Sequence, residues 1–377
     1  MRNPVFGQEE IQSRLFREIQ HGQMPHALLL HGPSGCGKLA IAIAYAQSIL
    51  CSHRTTEGEG CGECQSCKMV SHLVHPDLHF VFPVIRSKSG STPDISDDHI
   101  KEWRALVQKS PYFDLSDWQA CLKANGNIQA TIYTVESDSI QRKMALKPAL
   151  GEHKAMIICW PEKMMTECAN KLLKLIEEPP SNTHFIFVSE EPARIIPTLI
   201  SRMQRIELHA VTKTDLIRFL VNHKQLPSDQ AENIASQSNG SLSQALKILN
   251  NENNDNAIYF NLFTTLMRAS WRRDVKAMRT WSEELADMKR EQQLNFLNYC
   301  LYLLRENFIY NFHIKNLNSM TAQEAEFAVR FAPFIHERNV ILIKELFEKC
   351  FYDLQRQVNA KMVFFNMTLQ ISVLIRK

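Results

Sequence analysis

The nine residues His31-Gly32-Pro33-Ser34-Gly35-Cys36-Gly37-Lys38-Leu39 constrain the fold of this chain more than any other stretch. An apolar run, Ala27-Leu28-Leu29-Leu30, leads in and a helix-forming run from Leu39 to Ala46 leads out, so the glycines fall in a strand-to-helix turn. Gly32, Gly37 and Lys38 have the spacing of a P-loop, with Gly35 between them. In such a loop backbone N–H groups close around phosphate oxygens, the helix N-terminus adds its positive dipole end, and the lysine supplies a point charge. A plain glycine-rich connection would need neither that lysine nor that spacing. Position 39 should carry a hydroxyl for Mg²⁺, but it is leucine, so the loop has a phosphate cradle and lacks one metal anchor.

A second metal anchor is missing further along. The buried strand expected at Lys154-Ala155-Met156-Ile157-Ile158 should end in an aspartate that holds Mg²⁺, with an acidic neighbour to activate water. Cys159 and Trp160 stand there instead, and Glu162 is the nearest carboxylate that could substitute as a base. Two independent losses in one site argue against hydrolysis. Around these positions strands and helices alternate: a helix over 8–21, strands near Leu78–Phe82 and His184–Val188, and a helix over Thr166–Glu178. That alternation implies a parallel α/β sheet.

Between Cys51 and Cys67 the spacing C-x9-C-x2-C-x2-C places Cys51, Cys61, Cys64 and Cys67 among turn-forming glycines. Four thiolates at this spacing suit tetrahedral zinc. An iron–sulfur site would continue to a further cysteine and proline, whereas Lys68-Met69-Val70 follows here. His72 and His75 are near enough in sequence to replace one thiolate, and four free thiols in a loop is the plain alternative.

Length and charge set wide bounds. The 377 residues suffice for two or three domains, and a net charge of +3 neither requires nor excludes a nucleic-acid partner. Arg268, Arg272, Arg273, Lys276 and Arg279 form a basic stretch whose ordinary reading is a solvated helix face. No apolar run approaches membrane-spanning length, so the expected location is cytoplasmic. Residues 212–250 read as three short helices, 251–256 as a polar linker, and nearly everything beyond as amphipathic helix, including 337–355 and 360–376. Helices are expected over Asp97–Ser110 and Leu115–Lys123, with a polar loop over 86–93 and a break at Gly126, but 84–131 carries no nameable constellation.

Taken together, the P-loop, the cysteine module, Ala169-Asn170-Lys171-Leu172-Leu173-Lys174-Leu175-Ile176-Glu177-Glu178-Pro179-Pro180 and Thr198-Leu199-Ile200-Ser201-Arg202 resemble the bacterial clamp-loader family. The resemblance implies an α/β AAA+ P-loop module with a parallel sheet over 1–210, bearing a zinc module at 51–67 and an insertion at 84–131. A small helical lid over 211–250 and an all-α oligomerisation (collar) domain over 257–377 would follow. It implies gamma/tau-like and delta-like partners in a five-subunit ring, acting with a sliding clamp and primed DNA. Gln244, in Gly240-Ser241-Leu242-Ser243-Gln244, stands where hydrolysing members carry arginine, and Met203 replaces the usual cysteine after Arg202. By resemblance, this chain is a non-hydrolysing subunit that lends Arg202 as an arginine finger to a neighbour, with ATP or ADP bound, if at all, without turnover. The alternatives are an ATP-hydrolysing motor subunit of the same loader and a zinc-bearing nucleic-acid-binding module.

Overall fold

The computed structural model describes residues 5–86, 94–122, 130–249, 253–312 and 320–376. All but the first residue of the expected polar loop at 86–93, the break at Gly126 and the first part of the expected linker lie outside these residues. The chain divides into two compact units, 1–246 and 247–377.

The first unit is built on a five-stranded sheet of order β2-β3-β4-β1-β5, with every pairing parallel. Its strands are β1 (Ala27–His31), β2 (Leu78–Val81), β3 (Lys154–Cys159), β4 (Thr183–Ser189) and β5 (Gln204–Glu207). β1, β3 and β4 are apolar and buried nearly throughout, as strands covered on both faces must be. Because side chains alternate along a strand, each strand supplies both cores. Leu28, Leu30, Ile157 and Ile186 face one core, while Ala27, Leu29, Ile158 and Phe187 face the other.

On the first face lie α1 (Glu9–Gln20), α2 (Lys38–Leu50) and two helices from within 84–131, α4 (Ile100–Lys109) and α5 (Leu115–Cys121). On the second lie α6 (Thr134–Ala145), α7 (Thr166–Glu177) and the short α8 (Pro197–Ile200). A short α3 (Gln65–Ser71) carries the last of the clustered cysteines. The unit continues through α9 (Lys213–Lys224), α10 (Ser228–Gln237) and α11 (Leu242–Leu249), whose apolar residues form a separate cluster that includes Ala40 of α2.

The α/β P-loop class expected from the sequence is therefore the observed one, followed by helices. The insertion's two helices are also where the sequence places them. What the sequence did not suggest is their site: they cover the sheet face that carries α2, with Trp103 stacked on Phe82 at 4.3 Å and Trp118 edge-on at 4.9 Å.

The second unit is helical: α12 (Asn253–Arg272), α13 (Val275–Asp287), α14 (Arg290–Tyr310), α15 (Ala322–Phe331), α16 (Val340–Gln355) and α17 (Ala360–Leu374). Phe263, Trp281, Phe296, Phe347 and Phe364 fill its core. α12 begins at Asn253, so residues 253–256, expected in a linker, form its first turn. No described helix is long and apolar enough to cross a membrane.

Candidate functional site: a closed P-loop and a four-thiol cluster

All strands being parallel, the loops that follow them gather along one edge of the sheet, which is where open α/β folds bind ligands. The P-loop leaves β1 there. Gly37, at φ 96°, is the residue that turns the chain into α2. Gly35, at φ 75°, is confined from outside as well: a Cβ at this position would lie 2.1 Å from Ser241 Oγ. The Gly35 carbonyl accepts from the Leu242 N–H at 3.0 Å, so the start of α11 rests directly on the loop.

Lys38 is only 5% exposed, and its amine is directed to the loop itself. Nζ donates to the carbonyls of Gly32 at 2.9 Å and Pro33 at 2.6 Å. Leu39 is buried, contributes to the core on this face of the sheet and also lines the cleft. Cys159 is fully buried, and burial first, with the nearby Glu162 carboxylate second, pushes its thiol well above the ordinary range. It is a neutral group at any physiological pH. Trp160 adopts a left-handed conformation (φ 51°) uncommon for a bulky residue, with its N–H donating to the Val188 carbonyl at 2.8 Å.

Glu162 does not reach into the cleft as a free base. Its carboxylate accepts from Ser189 Oγ at 2.8 Å and from the N–H groups of Glu190 and Glu191 at 3.0 and 3.3 Å. It thus ties the loop after β4 to the loop after β3. With three donors on it, the carboxylate works as a tie between the two loops.

Two further groups of the cleft escaped the sequence reading. Glu190, immediately after β4, lines it together with Lys38 and Trp160. Burial drives its carboxyl above the ordinary range, and the field of Lys38 only partly offsets that. Its place at the C-terminal end of a buried strand was the available signal. The second group is the Pro111-Tyr112-Phe113 turn between α4 and α5, which lines the same cleft. Nothing in its local sequence marks it.

Arg202 lies at the other end of the sheet. β5 starts at Gln204, paired with Leu28 near the beginning of β1, whereas the P-loop leaves from His31 at the end of β1. Its guanidinium is 32% exposed and faces Glu177 at 3.3 Å, with Nη1 donating to the Thr198 carbonyl at 2.7 Å. Gln244, one turn into α11, is exposed.

The four cysteines of the second candidate site converge. Sγ of Cys51 lies 3.6 Å from that of Cys61 and 3.8 Å from that of Cys64, Cys61 lies 3.9 Å from Cys67, and all four sulfurs fall within 4.8 Å of one another. A tetrahedron built on zinc–sulfur bonds of about 2.3 Å has edges of about 3.8 Å, so the cluster fits a tetrahedral ion of that size. Backbone N–H groups of Cys61, Cys64 and Cys67 donate to the sulfurs of Cys51, Cys61 and Cys64 at 3.3, 3.3 and 3.4 Å. For Cys64 burial works upward, but the N–H groups of Cys67 and Ser52 outweigh it and bring the thiol to about 6. His75 is not part of the cluster: its Nδ1 accepts from the Asp77 N–H at 3.1 Å. His72, too, is outside the convergent group.

A family model described as DNA polymerase III, delta subunit matches residues 7–212, more than half of the chain. The chain belongs to this family. Among curated relatives, DNA polymerase III subunit delta' of Bacillus subtilis is 28% identical over 200 residues, covering 52% of this chain and 46% of that protein. The delta' subunit of Pseudomonas aeruginosa is 28% identical over 195 residues, covering 52% and 45%. The tau subunit of B. subtilis is 27% identical over 262 residues, covering 68% and 38%. The chain thus spans about half or less of the length of the relatives it matches. Among solved structures, a DNA polymerase III gamma subunit-related protein from Thermotoga maritima aligns with 98% of this chain and 100% of that chain, at 12% identity and a TM-score of 0.39, an overlap too loose to carry an argument. The first unit of this family member is an α/β module with an all-parallel P-loop sheet.

Proposed function

We propose that this protein is a non-hydrolysing, delta-prime-like subunit of a DNA polymerase III clamp loader. In that role it joins gamma/tau-like and delta-like subunits in loading a sliding clamp on primed DNA. The observation that carries this reading is the state of the P-loop cleft: both positions that should anchor magnesium, Leu39 and Cys159, are buried groups that cannot ligate a hard cation. Similarity to tau as well as to delta' does not separate this reading from a motor subunit; the chemistry of that cleft is what favours the non-hydrolysing one.

Arg202 is the contribution the subunit makes to its neighbour's hydrolysis. Sitting at the sheet end remote from its own P-loop, it is unsuited to that loop and available at the surface. Its partner Glu177 is 56% exposed, and ion pairs of this kind contribute only about 0–1 kcal/mol, so exchanging Glu177 for a phosphoryl group costs little. Cys51, Cys61, Cys64 and Cys67 are the residues that would hold zinc. When bound, the ion would serve as a structural cross-link between the end of α2 and α3, with no open position for catalysis.

The test is reconstitution with candidate partner subunits. Arg202→Ala should fold, assemble and depress ATP hydrolysis by the neighbour, by up to the about 10³–10⁵ that such fingers contribute. The isolated chain should not hydrolyse ATP. Unchanged hydrolysis in the Arg202→Ala complex sinks the finger assignment, and turnover by the isolated chain that Lys38→Ala abolishes sinks the non-hydrolysing role.

A further inference from the structure

We propose that the Pro111-Tyr112-Phe113 turn of the insertion is a resident plug of the P-loop cleft, with Tyr112 lying where a nucleotide would have to lie. The inference rests on reading that cleft as a nucleotide-type site, and it gives the insertion at 84–131 a task.

The tyrosine is placed against the phosphate cradle. A Cβ at Gly37 would lie 3.3 Å from Tyr112 Cε1, so the ring packs directly on the N-terminus of α2. That is the position at which unpaired N–H groups and the helix dipole receive an anion. A phosphate oxygen must come within about 3 Å of those N–H groups to be held, and Tyr112 lines the same cleft as Gly35, Gly37 and Lys38, so a bound phosphate would have to share that space with the ring. Tyr112 is 7% exposed.

The ring also bridges the segment before α1 and the helix α9. Its hydroxyl accepts from the Phe6 N–H at 3.1 Å, on the segment leading into α1. The ring lies tilted at 59° to that of Phe219 of α9, with centroids 6.3 Å apart, within a cluster that includes Ala40, Leu216 and Leu242. An aromatic plate between apolar walls, with its polar tip on one backbone N–H, is bound as a flat ligand would be. The side chain therefore joins the helices of 213–249 to α2 without any nucleotide.

The turn is anchored from behind. Phe113 packs edge-on against Trp103 at 5.4 Å and tilts against Trp160 at 6.1 Å, and Trp118 Nε1 donates to the Pro83 carbonyl at 2.7 Å. Trp103 and Trp118 are fully buried. Moving Tyr112 aside would disturb this aromatic core. Glu190 works in the same direction, since a carboxyl beside Lys38 in the cleft disfavours a second anion there.

The test is nucleotide binding by the full-length protein, read from the fluorescence of mant-ADP. The wild type and Tyr112→Phe, which keeps the ring, should bind no better than in the millimolar range, and Tyr112→Ala should bind about tenfold tighter or more. Micromolar binding by the wild type overturns the plug, as does a Tyr112→Ala protein that keeps the native circular dichroism and binds no better. Should Tyr112→Ala fail to fold, an acyl-phosphate ADP probe on the wild type decides: an unlabelled Lys38 supports the plug, and ADP-protectable labelling of Lys38 refutes it. Binding and turnover are separate readouts. Nucleotide held without hydrolysis removes the plug and leaves the proposed function standing, whereas hydrolysis removes the non-hydrolysing role itself.

Discussion

The P-loop and the four-cysteine cluster sit at opposite ends of α2, and each has the spacing to hold a small inorganic group. They differ in what their donor atoms are doing. At the cluster, four sulfurs turn toward a common centre, and backbone N–H groups donate to three of them. At the P-loop, Lys38 is bound to the loop's own carbonyls, and Tyr112 covers the helix N-terminus. Local spacing brings donors together in both places, but donors hold a ligand only when nothing else in the protein has taken them. The difference lies in the neighbours each site was given.

The comparison breaks most readily at the cluster. Replacing Cys67, fully buried, by serine should abolish metal binding and melt the region from Cys51 to α3, because structural zinc contributes roughly 10–16 kcal/mol of apparent binding energy in zinc-finger peptides at pH 7. Metal analysis should find about one zinc per chain in wild-type protein purified without chelator. Hydrogen exchange should show loss of protection confined to this region after the ion is stripped. A metal-free wild type with full protection would make the cluster four packed thiols.

A smaller effect is expected from Glu162 at the other site. Glu162→Ala leaves Ser189 Oγ and two backbone N–H groups without their acceptor, which should cost about 1–3 kcal/mol in chemical denaturation. A neutral result would mean that this carboxylate is not what ties the two loops together. The smallest effect is a gain. Burial raises the carboxyl pKa of Glu190 in the folded state above its unfolded value, so at neutral pH the folded protein bears the cost of a charge that it holds less well than water does. Glu190→Gln should therefore stabilise at pH 7. As pH falls through the raised pKa toward the ordinary carboxylate range the wild-type side chain becomes neutral in the fold, and the difference between the two proteins should close. Denaturation midpoints measured across that range check the sign; a destabilised variant at pH 7 would mean that attraction to Lys38 outweighs burial.

The sequence was most legible where one physical signal dominated. β1, β3 and β4 were plain because strands buried on both faces are continuous apolar runs. β5 was not, since Gln204-Arg205-Ile206-Glu207 has a single apolar residue and pairs only with β1 at the edge. α6 was missed for a different reason. Its buried face includes Glu136, Ser137 and Ser139, with Glu136 accepting from the Ser96 N–H at 2.7 Å and from Ser96 Oγ at 3.1 Å. A polar network of that kind removes the hydrophobic period by which a helix is recognised. The insertion's helices could be read, but the destination of Tyr112 could not.

By itself the sequence determined the P-loop turn, the crowding of four cysteines into a short segment, and the absence of a hard oxygen ligand at positions 39 and 159, because all three follow from which residues stand where along the chain. Only the tertiary structure decided that Glu162 is tied to the loop after β4, that Arg202 lies at the sheet end opposite its own P-loop, and that a tyrosine more than seventy residues downstream packs at Gly37. Those outcomes depend on which distant surfaces are packed together, and packing is set by the shape of the whole core rather than by any stretch of chain within it.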